Sequence, residues 1–502
     1  MTPAGGVGRS WRRFVRRMGT TRSILIVVGV VAVMAVVVAL VVAGGSSSSS
    51  NTATTSSTVP ATAVDQASTA APGVTKTSIH VVFPVVSLTS LAGREGFAAD
   101  IEYGWQQKAI HTFVNDINDH GGIHGRKIDA DIVQYDPTLP ANMRALCKQW
   151  TEGSNPAFAV LDGLGAWEGD NQLCITQEGH TPMLAQWATV TDWTDRGSPY
   201  LWWTGTDQSV LLDTLVSWGH QAGLLTTAHR VGIIVGDREP DQLALHETVL
   251  PALAKLGITD PLVQTIAASA DAQTTTLQAE APLIVQRFRQ AGVASVIPLI
   301  PFNSFFPYLQ SETSQGYFPH LLLSDYESSI QVALGLIPVP YEKALDGQEG
   351  VTTFTLGGID DDRPESQGGY DPGLRSCYAT WKAHNAPPKP PDSPFLEEQG
   401  PVAAWCQVIR LFAKAAESAG PDLNRRTFVQ AMSKIQDFPG TYTPVLSYSP
   451  TKYYGPTEYR VVKIHNNVPP SSACIQPRFT KKPQGTCWVV VQDWQPLTSG
   501  SS

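Results

Sequence analysis

Two tryptophans mark the residues of this chain best equipped for chemistry. Trp167 closes the run Asp162-Gly163-Leu164-Gly165-Ala166-Trp167, and Trp187 lies in Gln186-Trp187-Ala188-Thr189. Each run follows a short apolar segment, so each reads as a loop at the end of a strand. Indole faces in such loops stack on flat apolar or aromatic groups. The glycines of the first loop let the backbone N–H groups of Leu164 and Gly165 turn toward an anion at the head of the following helix. Later loops add polar groups at Asp237-Arg238-Glu239, Phe302-Asn303 and Asp325-Tyr326-Glu327. These residues suit binding. Catalytic spacings are missing, with no GxSxG, no HExxH and no GxxxxGK[ST]. His246-Glu247 lacks the second histidine of a zinc helix. Asp360-Asp361-Asp362 with Glu365 lacks the spacing of an EF-hand calcium loop. No metal and no cofactor is expected. A triad scattered through the sequence would leave no such mark, so an extracellular enzyme stays open as a third reading.

The elements that must position these loops alternate in type. Ile110, Phe113, Val114 and Ile117 form the apolar stripe of a helix, stopped by Gly121-Gly122, and Ile128, Ala130 and Ile132 then alternate with acids as in a strand with one wet face. Ile79–Val85 is the first core strand, expected to end or bulge at Pro84. Helix Ala141–Trp150, strand Ala157–Leu161, helix Gln172–Glu178 and strand Pro182–Ala185 follow. A second alternation opens with Val231–Val235 and runs through Gln242–Leu256, Leu262–Ala267, Thr276–Ala291, Ser295–Ile300, Phe302–Glu312 and Leu321–Ser324. Pro298 is expected to bulge or end its strand. Val351–Leu356 is a further strand, and helices are expected over Leu374–His384, Val402–Ala419 and Arg425–Lys434, then a strand over Trp488–Trp494. Two βαβ series in one chain predict an α/β protein of two doubly wound, Rossmann-like lobes. Ligands of such sheets lie outside the carboxyl ends of the strands, which is where the loops above fall.

The chain has 502 residues, enough for two cores, and its 42% apolar and 16% charged content excludes disorder throughout. Residues 1–23 form a basic tail whose six arginines face no acid, so that of the net −9 the remainder carries −15. A chain so acidic is a poor nucleic-acid binder. Residues 24–43 are uncharged and apolar for about 30 Å of helix, enough to cross a membrane with the tail in the cytoplasm. A cleaved signal peptide ending near Val41-Val42-Ala43 is the rival reading, which would release the protein. Residues 44–73, rich in Gly, Ser, Thr, Ala and Pro, read as a flexible tether. Six cysteines in an exported chain suggest disulfides, expected between the sequence neighbours Cys147/Cys174, Cys377/Cys406 and Cys474/Cys487.

The run NDINDHGGIHGRKIDADIVQYD over 115–136 resembles the first helix–strand unit of type I periplasmic solute-binding proteins, the branched-chain amino acid-binding kind. The resemblance is carried by Asn118, Gly121, Gly122, Ile123, Gly125, Arg126, Lys127, Ile128 and Asp136. A second match begins at Phe438, where FPGTYTPVLSYSPTKYYGPTEYRVVKIHNN resembles the family's late run into a "Y.VV.I" strand. In topology the likeness covers about residues 75–470. It implies a solute-binding component of an ABC-type importer, with a permease as partner and a small molecule held between the lobes. It also implies three crossings, placed near Trp203–Asp207, Leu356–Asp371 and Tyr442–Ser449. The lobes are then 74–204 with 371–441, and 205–356 with 442–497. In relatives the loop matching Ala188-Thr189 gives the ligand a carbonyl and a hydroxyl, and an acid matching Asp325 or Glu327 pairs a ligand amine. The sequence departs from the pattern where Arg238-Glu239-Pro240 replaces an expected tyrosine and where Trp167 and Trp187 replace small residues. The ligand is thus expected to be amino acid-like or aromatic and apolar. A ligand-sensing surface receptor without transport remains the alternative.

Overall fold

The side chains of β1 (Ser78–Val86) show how the first sheet is built. Val81, Phe83 and Val85 enter one apolar cluster while Val82 and Val86 enter another, as alternate residues of a strand must. The structure is a computed structural model and describes residues 64–86, 103–136, 139–163, 169–186, 189–269, 274–326, 342–355, 372–385, 395–468 and 485–497. Within them β1, β2 (Lys127–Tyr135), β3 (Ala159–Asp162), β4 (Met183–Ala185) and β5 (Leu201–Trp203) form a parallel sheet in the order β2-β1-β3-β4-β5. β2 is its edge, with Asp129 and Asp131 exposed and Ile128 buried. The helix Tyr103–Asp119 turns into β2 through Gly121 and Gly122, both at positive φ, and Gly122 lies against the Arg126 backbone where no side chain fits.

The second sheet repeats the plan. Strands β6 (Arg230–Gly236), β7 (Leu262–Ile266), β8 (Val293–Leu299), β9 (His320–Leu323) and β10 (Glu349–Thr352) run parallel in the order β7-β6-β8-β9-β10. Ile234 packs with the helices Thr274–Gln290 and Phe302–Gln315. On the other face Ile233 and Val235 pack with the helix Gln208–Gln221 and the helical segments Ala244–Val249 and Leu250–Lys255. A small ladder, β11 (Phe438–Pro439) with β12 (Val445–Leu446), precedes β13 (Glu458–Val468) and β14 (Gly485–Pro496), which extend the second sheet antiparallel beyond β10.

Neither proline interrupts its strand, against expectation. The β1–β2 register runs unshifted through Pro84↔Val133 to Val86↔Tyr135, and the β1–β3 pairing ends at Val82↔Val160. His80 turns its carbonyl to β3, so Pro84, four residues on, faces the same side, past the last pair, where a missing N–H removes no ladder bond. Pro298 pairs with Ile234 two residues beyond the last β8–β9 pair, and the register shift in β8 falls instead at its start, between Arg230 and Val231 of its partner.

The helices Pro372–His384, Phe395–Ser418 and Arg425–Met432 return to the first sheet, where Trp381, Trp405, Phe412 and Phe428 share a cluster with Phe83 and Phe158. Leu446, Tyr448 and Tyr453 belong to that cluster, whereas Tyr459 packs in the second lobe. The third crossing therefore runs through 455–457, later than Tyr442–Ser449, because aromatic residues of that stretch fill the first lobe. Residues 64–73 also differ from a free tether: Val64 and Ala67 are buried in the first-lobe core and the Ser68 N–H donates to the Tyr200 hydroxyl.

Two of the three expected disulfides are seen among the described residues. They join Cys147 to Cys174 and Cys377 to Cys406, with Cα separations of 6.3 and 5.9 Å. The third expected pair, Cys474 with Cys487, is not among them. Cys474 lies outside the described residues, and Cys487 is described through its backbone alone, opposite His465 in the β13–β14 ladder. The expected span Ile24–Ala43 and residues 44–63 also lie outside the described residues, among which no helix is long and apolar enough to cross a membrane.

Candidate functional site

Parallel strands end together, so each sheet has one carboxyl edge, and those of the expected site residues that are described follow the strands of these two edges. On the first, β3 ends at the buried Asp162, whose carbonyl accepts the Gln186 N–H at 3.0 Å, and the Gln186 side chain accepts from the Thr204 hydroxyl at 3.3 Å. Gly163 is needed because the Trp405 indole lies beneath it: a Cβ there would stand 2.6 Å from two ring carbons. Thr189 is half-buried, and its carbonyl accepts the Gln208 N–H at 3.0 Å. Leu164, Gly165, Trp167, Trp187 and Ala188 lie outside the described residues.

On the second edge the polar side chains bind one another. Arg238 grips Asp241 through two N–H···O bonds of 2.8 Å, and Asp241, wholly buried, also accepts the Tyr326 hydroxyl at 2.5 Å. A paired fork of this kind is the strong form of ion pair, and the Tyr326 hydroxyl bond to the same carboxylate ties the segment after β6 to the loop after β9. Asp237 accepts the Ala268 N–H at 2.9 Å. Asn303 reaches the Ser269 carbonyl at 3.5 Å from the head of the helix Phe302–Gln315; the Phe302 side chain and Glu327 lie outside the description. Asp325 is buried and accepts three bonds, from the Thr352 hydroxyl at 2.6 Å and from the Thr353 N–H and hydroxyl at 2.8 and 2.9 Å. Burial lifts its pKa to about 6 against the pull of these donors and of Arg460.

The structure thus brings Arg238 and Tyr326 together through Asp241, and keeps Asp325 apart with β10. Sequence reasoning passed over Thr352, Thr353 and Asp241 as partners, and also Asp207, the N-cap of the helix Gln208–Gln221. Only the cap had a readable signal, an aspartate just before an amphipathic run. Among the described residues no group of three or more His, Cys, Asp or Glu could hold a metal ion. Among the described residues one cavity of about 650 Å³ is lined by the helices Phe395–Ser418 and Arg425–Met432 with β11, and one of about 470 Å³ by the helices Tyr103–Asp119 and Pro372–His384.

Two sheets of one repeated strand order and a chain that crosses between them describe the fold. The family model described as "Periplasmic binding protein" matches residues 91–354, more than half of the chain. This chain is a type I periplasmic binding protein. Its fold is that of several solved structures. A fatty acid ABC transporter substrate-binding protein from Thermomonospora curvata is 18% identical, with a TM-score of 0.56 over 84% of this chain and 94% of that one. A branched-chain amino acid ABC transporter protein from Thermus thermophilus, with bound valine, is 15% identical, with a TM-score of 0.57 over 84% and 98%. A solute-binding protein from Rhodopseudomonas palustris BisB5, in complex with 3,4-dihydroxybenzoic acid, is 13% identical, with a TM-score of 0.55 over 84% and 98%. No curated protein matches the chain. These periplasmic binding proteins capture solutes, and the fold accommodates both amino acids and acids without an amine.

Proposed function

We propose that this protein captures a small carboxylic acid, aromatic or aliphatic, between the carboxyl edges of its two lobes and delivers it to an ABC-type permease without altering it. The observation that carries the ligand class is the state of the second edge. Asp237, Asp241 and Asp325 each accept bonds from within the lobe, and Arg238 is held by Asp241. An α-amino acid brings an ammonium that needs a carboxylate. The acids described there already have partners, so a ligand without an amine fits better. The tryptophans at 167 and 187 favour a flat or apolar body by stacking. The apolar run 24–43 and the paired cysteines support an extracytoplasmic lobe pair held to the membrane, with the permease reached from outside.

A thermal-shift screen of the protein against benzoates, fatty acids and branched-chain amino acids tests this reading. A ligand at about 100 times its Kd adds roughly 2.7 kcal/mol to the folded state. The expected hit is an acid lacking an amine, recovered unchanged. Stabilisation by amino acids alone overturns the ligand class, and chemical consumption of the hit overturns the binding function. Binding with no transport in membrane vesicles carrying the permease favours a sensory receptor instead.

A further inference from the structure

The helix Thr191–Gly197 follows the ligand loop directly and is wired to the second lobe at several points. Thr189 accepts from the Gln208 N–H, and the Thr191 N–H donates to the Ser209 hydroxyl at 3.1 Å. Trp193 is buried in the cluster that holds Leu211, Leu215 and Ile233, and Arg196 reaches Glu239 at 3.4 Å. At the centre lies Asp207. Its Oδ1 accepts the Ser209 and Val210 N–H groups at 3.0 and 3.4 Å and the Thr191 hydroxyl at 2.8 Å, while its Oδ2 accepts the Thr194 hydroxyl at 3.1 Å.

We propose that Asp207 is a positioning residue: its carboxylate clamps the helix Thr191–Gly197, and with it the ligand loop at Thr189, to the head of the helix Gln208–Gln221, so that the loop and the second lobe move as one. The ligand in this statement rests on the proposed function; the clamp does not. A helix cap needs one oxygen, and serine or asparagine supplies it as well as aspartate does. Here the second oxygen serves only the preceding helix. The carboxylate is 2% exposed, and burial raises its pKa to about 6 despite four donors. As a mere cap a neutral side chain would fold more favourably. The same clamp passes to the crossing strands, since the Thr194 hydroxyl also accepts the Trp203 indole N–H at 3.0 Å and Trp203 bonds Tyr453 and Tyr448.

Amide hydrogen exchange of the whole protein without ligand separates clamp from cap. Asp207→Asn and Asp207→Ser keep a capping oxygen but not both duties. In these variants, amides of residues 189–195 are expected to exchange about tenfold faster, with residues 208–214 unchanged; Asp207→Ala speeds both. Should the Asp207 variants fail to fold, Thr191→Val with Thr194→Val removes the clamp and leaves the cap, with the same expected pattern. Wild-type exchange over 189–195 in any folded variant of this set, or a uniform rise through the molecule, overturns the clamp. Because no ligand is present, that failure is distinct from failure of the ligand screen.

Discussion

Replacing Asp325 by asparagine will flatten the response of the fold to acid between pH 7 and pH 5. In the native chain burial raises this carboxyl from 3.8 to about 6, so the folded state holds its proton more tightly than the unfolded chain. The sign follows: the contribution to stability is fully present below 3.8 and is lost as pH rises through 6. For those two values, linkage gives about 1.3 kcal/mol of stability gained on going from pH 7 to pH 5. Asparagine cannot titrate. It also keeps the shape and offers its oxygen to the Thr353 N–H, while the Thr352 hydroxyl must accept rather than donate, a pH-independent loss of about 1 kcal/mol. The variant is therefore less stable than wild type by roughly 1 kcal/mol more at pH 5 than at pH 7. Asp195 and Asp207, both also raised to about 6 by burial, tilt wild type and variant alike, so the difference between the two curves isolates Asp325. Urea unfolding at pH 5, 6 and 7, followed by tryptophan fluorescence, measures it. Parallel curves, offset but equal in slope, would refute the buried, self-satisfied carboxyl and return Asp325 to the role of an amine partner.

Removing the disulfide with Cys147→Ser and Cys174→Ser opens a loop of 27 residues; chain entropy puts the loss at about 3.5 kcal/mol, read as a lower urea midpoint that dithiothreitol no longer shifts as far. Gly163→Ala forces a methyl onto the Trp405 indole and costs about 1–3 kcal/mol by overpacking, visible as a lower Tm with altered near-ultraviolet circular dichroism.

The alternation of elements was legible where a segment carries its own period: Ile128, Ala130 and Ile132 against Asp129 and Asp131 need no knowledge of the rest of the chain. Pro84 and Pro298 were misread because their effect depends on how far the neighbouring strand extends, which is not a local property. The third crossing was misplaced for a related reason, since Leu446 and Tyr448 look equally apolar whichever lobe they fill. At the site, loops could be named from strand ends, but the partners that decide a side chain's role are distant in sequence. Asp325 bonds residues 27 and 28 positions later, and Asp207 bonds threonines 13 and 16 positions earlier. Composition misjudged residues 64–73, which bury little by themselves and order on a surface the rest of the lobe supplies.

The return of the chain to its first lobe has a consequence for biosynthesis. A nascent chain that has reached residue 355 contains every strand of the first sheet and the helices for one of its faces. On the other face only the helix Tyr103–Asp119 is in place, through Ile110, Phe113 and Val114, and Phe83 and Phe158 still lack their ring partners Trp405, Phe412 and Phe428. The second lobe, by contrast, has its five parallel strands and their helices in one uninterrupted stretch. It can assemble all of its core but the contributions of β13 as the chain emerges, while its elder neighbour waits for residue 432 with that face of its sheet only partly covered. Folding order is then expected to invert sequence order, and the interval of partial exposure is when a holdase chaperone would have most to cover.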